Sequence, residues 1–120
     1  MPGPARNPLK NDSRAYRSAN VRGKVIELPA EGSDLPIPKV PAGREWTKEE
    51  RALWRSIWSS PQATQYDDSY APAVAAYVIY THQIYAGTAP GWVAAEQRHL
   101  GAQLGLTPQS MQSLGWIIKE

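Results

Sequence analysis

The stretch Thr47-Lys48-Glu49-Glu50-Arg51-Ala52-Leu53-Trp54-Arg55-Ser56-Ile57-Trp58 decides how the rest of the chain is read. Its first four residues match a capping box. The threonine hydroxyl accepts from an orphan amide of the first turn, and the Glu50 carboxylate reaches back to the start of the helix. Leu53, Trp54, Ile57 and Trp58, with Trp46 just ahead, then recur at helical spacing, while Lys48, Arg51 and Arg55 lie on other faces. The pattern predicts an amphipathic helix with one aromatic face, and with it a helical body.

Beyond this helix the signals repeat. Ser60-Pro61 reads as an N-cap followed by proline at the first helical position, opening a short turn through Tyr66. Asp67-Asp68-Ser69 supplies capping groups for a long helix, roughly Tyr70 to Ala86, with Pro72 in its first turn and Gly87 as a left-handed cap. That helix presents Val74, Tyr77, Val78, Ile84 and Tyr85 among alanines. It carries so little charge that it belongs at the centre of the fold or at a subunit interface. A third helix is expected from Gly91 to about Leu104, with Trp92 at its start, Val93, Leu100 and Leu104 as its stripe, Gly101 as a packing position and Gly105 as its stop. Thr107-Pro108 opens a final helix expected to carry Met111, Leu114, Trp116, Ile117 and Ile118. No convincing strand pair, internal repeat or heptad run is evident. The fold class is all-α, a small bundle of three to four helices with a long, largely disordered basic N-terminal arm.

Upstream, residues 1–44 lack a sustained apolar period and are interrupted by seven prolines, Pro2, Pro4, Pro8, Pro29, Pro36, Pro38 and Pro41. Such a segment buries too little apolar surface to offset its ordering entropy, so it is expected to be extended or disordered. Lys24-Val25-Ile26-Glu27-Leu28-Pro29 suits an extended contact on the body or a neighbouring subunit, and Pro36 to Pro41 favours polyproline II, a stiff spacer. The chain therefore divides into a flexible basic arm and Pro-rich linker, 1–44, and a helical body, 45–120, that supplies core and oligomerisation.

The formal net charge of +2 conceals a segregation. Residues 1–24 hold Arg6, Lys10, Arg14, Arg17, Arg22 and Lys24 against Asp12 alone, a net of +5, whereas residues 25–120 hold seven basic and ten acidic groups, a net of −3. Six cations spaced by small polar residues and Tyr16 make a polycation suited to following phosphates or entering a minor groove. The plainer reading is a solvated, solubilising tail.

Catalytic signatures are lacking. There is no cysteine, which excludes disulfides, thiolate catalysis and cysteine-ligated zinc. His82 and His99 fall in different predicted helices without metal-ligand spacing. No phosphate-cradling glycine motif and no nucleophile elbow is present. Asp67-Asp68 and Glu49-Glu50 sit where helix N-termini favour negative charge, which suits capping better than acid–base work. No catalytic residue, metal or cofactor is expected. The apolar run Ala71 to Tyr80 is about half of what a bilayer requires, and charged or polar residues recur from Arg6 through Arg22, so neither a membrane anchor nor a secretory signal is expected. The five tryptophans are more readily core or interface than base-stacking residues, and a body of this size invites association.

Four segments, in order along nearly the whole chain, resemble the small terminase subunits of actinobacterial phages and prophages: Pro-Gly-Pro-Ala-Arg-Asn-Pro (2–8), Leu-Pro-Ala-Glu-Gly (28–32), Leu-Trp-Arg-Ser-Ile-Trp-Ser-Ser-Pro-Gln-Ala (53–63) and Leu-Gly-Leu-Thr-Pro-Gln-Ser-Met-Gln-Ser-Leu-Gly-Trp (104–116). At 71–73 this chain has Ala-Pro-Ala where the family usually has a bulky residue and an arginine. The resemblance implies a non-catalytic subunit in the bacterial host cytoplasm. Such a subunit binds double-stranded viral DNA at the packaging site, forms a homo-oligomeric ring and delivers the DNA to the large ATPase and nuclease subunit. On that reading the six arm cations contact phosphates. Trp54, Trp58, Trp116, Ile117 and Ile118 then meet neighbouring subunits or the large subunit. A head-assembly adaptor docking on an acidic protein, or a small DNA-binding regulator, are the alternatives, although no clear helix-turn-helix with a polar reading helix is evident.

Overall fold

The capping box forms. In the computed structural model, which describes residues 25–119, the Glu50 amide donates to Thr47 Oγ1 at 3.0 Å and the Thr47 amide donates to Glu50 Oε1 at 2.9 Å. This reciprocal pair opens α1 (Lys48–Trp58) and contributes about 1 kcal/mol. Glu50 is itself buried, and its second oxygen takes both guanidinium nitrogens of Arg44 at 3.4 Å. Arg44 in turn lies over the Trp46 ring, 4.5 Å from its centroid. One buried carboxylate thus caps the helix and anchors the segment that leads into it.

A 3₁₀ turn at Pro61–Gln65 and another at Asp68–Tyr70 follow α1. The Ser60 hydroxyl does not cap the first of them, since it donates to Ile57 O at 2.7 Å. Next come α2 (Ala71–Ala86), with proline in its first turn, and α3 (Gly91–Gln103). Both end at glycines in the left-handed region, Gly87 and Gly105. Behind Gly105 the amide of Leu106 returns to Gly101 O and that of Gly105 to Ala102 O, the paired bonds of a Schellman motif. α2 packs against both α1 and α3, and Val74 and Val78 are fully buried, so this nearly uncharged helix is central to the chain's own fold. A second capping box, Thr107 with Ser110, opens α4 (Pro108–Leu114).

The end of the chain departs from expectation. Gly115, at φ 76°, stops α4 after seven residues, and Trp116–Lys119 forms a strand instead of extending the final helix. It pairs in parallel with Ile26–Pro29 in the register Ile26 to Trp116, Glu27 to Ile117, Leu28 to Ile118 and Pro29 to Lys119. We name these strands β1 (Ile26–Pro29) and β2 (Trp116–Lys119). The absence of a strand pair inferred from the sequence is thereby corrected. The two partners lie far apart in the sequence, where no hairpin signal links them, and Ile117-Ile118 is β-branched and favours a strand once Gly115 has broken the helix. A two-stranded pair is marginal alone. This one is held by Leu28, fully buried in the main core, a burial that contributes about 2 kcal/mol.

The Pro-rich linker is also more than a spacer. The Trp46 indole N–H donates to Pro41 O at 2.9 Å and that of Trp54 to Pro38 O at 2.7 Å. The acceptors are three residues apart, and each carbonyl is held by the indole that donates to it. Trp46, Trp54, Trp58, Tyr66 and Tyr70 then run as one aromatic series, with successive centroids 6.3, 5.7, 5.6 and 4.7 Å apart. The linker turns onto α1 at Gly32. Its φ is +92°, and a Cβ there would strike the Ser59 carbonyl oxygen, to which the Ser33 amide donates at 3.0 Å.

Candidate functional site

The six arm cations, Arg6, Lys10, Arg14, Arg17, Arg22 and Lys24, lie outside the described residues. The root of the arm is defined. Directly after Lys24, Val25 is exposed and the Ile26 amide donates to Gly115 O at 2.8 Å. The arm therefore joins the body at the strand pair, beside the C-terminal strand.

Of the residues expected to meet other subunits, Trp54, Trp58 and Trp116 are sealed in this chain's own core, at 2%, 7% and 7% exposure. Ile117 and Ile118, at 49% and 37%, present surface. Trp116 is buried while Ile117, Ile118 and Lys119 beyond it are all exposed, so the strand leaves the core after its first residue instead of alternating. Tyr85 and Trp92 are exposed where α2 meets α3, and Tyr80 touches the Trp92 ring edge-on at 5.8 Å.

A basic stripe on α1 adds to the sequence-based candidates. Lys48, Arg51 and Arg55 are all exposed and stand at i, i+3 and i+7, which places them on one helical face. The signal is present in the sequence, but a search for apolar periodicity passes over it. Among the described residues the one ion pair is Arg44–Glu50, so these three cations are not engaged with carboxylates there.

The acidic pairs act locally. Asp67 Oδ1 accepts from the hydroxyl and the amide of Ser69, which hold its carboxyl below the usual range, the hydroxyl contributing more. Asp68 is exposed. His82 is half-buried on α2 and His99 is exposed on α3. Among the described residues no three His, Cys, Asp or Glu side chains are grouped to hold a metal ion, and no helix is long and apolar enough to cross a membrane. A cleft beneath the linker, lined by Leu35, Pro36, Trp58, Tyr66 and Asp67, contains no histidine or lysine.

These features define a small helical bundle, closed by a parallel strand pair, that carries cations along one outer helix and apolar side chains on its last strand. A family description of the phage terminase small subunit matches residues 1–114, from the arm through the end of α4, and the chain belongs to that family. No curated protein and no solved structure matches the chain.

Proposed function

We propose that this terminase small subunit binds double-stranded viral DNA through its basic arm and delivers it to the large ATPase and nuclease subunit for packaging into the capsid. It acts as a non-catalytic homo-oligomer, a ring, in the host cytoplasm. The observation that carries the reading is the charge segregation, +5 over residues 1–24 against −3 over the remainder. An acidic body repels phosphate at long range, so the arm is the part of the chain to which DNA is drawn. The strand pair supports a division of labour. Its first strand follows directly on the arm, and its second exposes Ile117 and Ile118, apolar side chains suited to the large subunit or to the next copy in the ring.

Binding of duplex DNA across a salt series tests the DNA role. Six engaged phosphates give a log–log slope of about −5, and replacing the six cations with glutamine abolishes most of it. Binding that is independent of salt, or unchanged in that variant, sinks the arm model. Light scattering tests assembly, for which a strict monomer counts against the ring. A pull-down with the large subunit of the same genome tests delivery, and its failure with folded material favours an adaptor.

A further inference from the structure

We infer that the outer face of α1 is a second phosphate-binding surface, on which Lys48, Arg51 and Arg55 contact the backbone of the duplex that the arm holds. The inference deepens the DNA-binding reading above and rests on it. Three observations converge on this face.

The first is charge. Seven basic residues belong to residues 25–120, a region that is net acidic, yet three of the seven stand on one stripe of one helix. Glu49 lies at the edge of that stripe. The other carboxylate of the first turn, Glu50, is turned inward and paired with Arg44. The outward face of α1 is therefore cationic on an otherwise acidic body, and charge complementarity selects a polyanion.

The second is relief. The positions flanking the cations on the exposed side are Ala52, Ser56 and Ser59, all short. Nothing bulky stands between the helix backbone and an approaching surface, while the bulky residues Trp54, Ile57 and Trp58 are buried on the opposite face.

The third is spacing. From Lys48 to Arg55 the helix advances about 10 Å. Phosphates of one DNA strand advance about 3.4 Å along the duplex axis per nucleotide, so three cations face a stretch holding about three phosphates. The root of the arm is joined to this helix by a short stretch of chain. The linker fastens to Ser59, at the C-terminal end of this helix, and four residues of strand, about 13 Å, separate Pro29 from the arm's root.

The test is made in the intact chain. If arm and stripe both engage, nine phosphates give a wild-type slope of about −8, against about −5 for the arm alone. Lys48→Gln, Arg51→Gln and Arg55→Gln together should reduce the slope by about 2.7 and weaken binding at least tenfold at low salt. Arg98→Gln, on α3, should leave both unchanged. The side chains are exposed, so the triple variant should melt with the wild type. The single variants carry the same test one phosphate at a time, each lowering the slope by about 0.9. A slope unchanged by the triple variant overturns the stripe while leaving the arm reading intact, and so does a loss of large-subunit capture with the DNA slope unchanged. A wild-type chain that binds no DNA overturns both.

Discussion

Gly105 and Trp116 occupy each other's space. A Cβ at position 105 would overlap Cζ3 and Cε3 of the indole, and the backbone there is left-handed, with φ 72°. The residue that ends α3 is therefore also the floor on which the first residue of β2 rests. Gly105→Ala adds a positive-φ penalty of about 1 kcal/mol to an overpacking cost of about 1–3 kcal/mol. The displaced Trp116 also deprives Ile26 of its register partner. A loss of roughly 2–4 kcal/mol in denaturant unfolding is expected, with a change in tryptophan emission. An alanine variant as stable as the wild type would show that the ring does not pack there.

The tryptophan series separates hydrogen bonding from packing. Trp54 and Trp58 are neighbours of like burial, yet the Trp54 indole N–H donates to Pro38 O, while that of Trp58 has no partner among the described residues. Phenylalanine removes similar volume at both sites. Trp54→Phe also releases the linker, whereas Trp58→Phe removes a buried donor that gains nothing. Trp54→Phe is expected to cost about 1–2 kcal/mol more than Trp58→Phe. Equal losses in chemical denaturation would mean that the linker contact is energetically silent.

Tyr66 makes stability depend on pH at the alkaline end. Its hydroxyl donates to Leu104 O at 2.6 Å. Burial, and then the neighbouring Tyr70 and Tyr77, push its pKa well above the ordinary tyrosine value. The folded chain thus holds this proton more tightly than the unfolded chain does. Its contribution is fully present below about pH 10, where unfolded tyrosine titrates, and is lost as pH rises from there toward the folded value. Tyr66→Phe should cost about 1–2 kcal/mol at neutral pH and flatten part of the alkaline decline. The denaturation midpoint, followed from about pH 8 to pH 12, reads both effects, and an identical decline in the variant would place the titration elsewhere.

Much of the helical body was legible because its signals are local. Thr47 with Glu50, Pro61, Pro72, Gly87 and Gly105 fall within one or two residues of the boundaries they announce, since caps act within a single turn. The candidate site was legible to a lesser degree. The cations of the arm stand out by composition alone, whereas those of α1 read only as lying on other faces than the apolar one, because their shared exposure is seen only in the fold. Which tryptophans remain available to partners was not, because a stripe of apolar residues looks the same whether it faces the chain's own core or another subunit.

The sequence by itself determined the first three helices, their ends and the division of charge between arm and body, because propensity, capping and net charge are properties of neighbouring residues. Only the tertiary structure decided that Ile26 to Pro29 would pair with Trp116 to Lys119, that the carbonyls of Pro38 and Pro41 would serve Trp54 and Trp46, and that Gly105 would yield its side-chain space to Trp116. Such contacts join residues far apart in the chain. They form only where packing of the intervening helices has already brought the partners together and met the entropy of closing the loop.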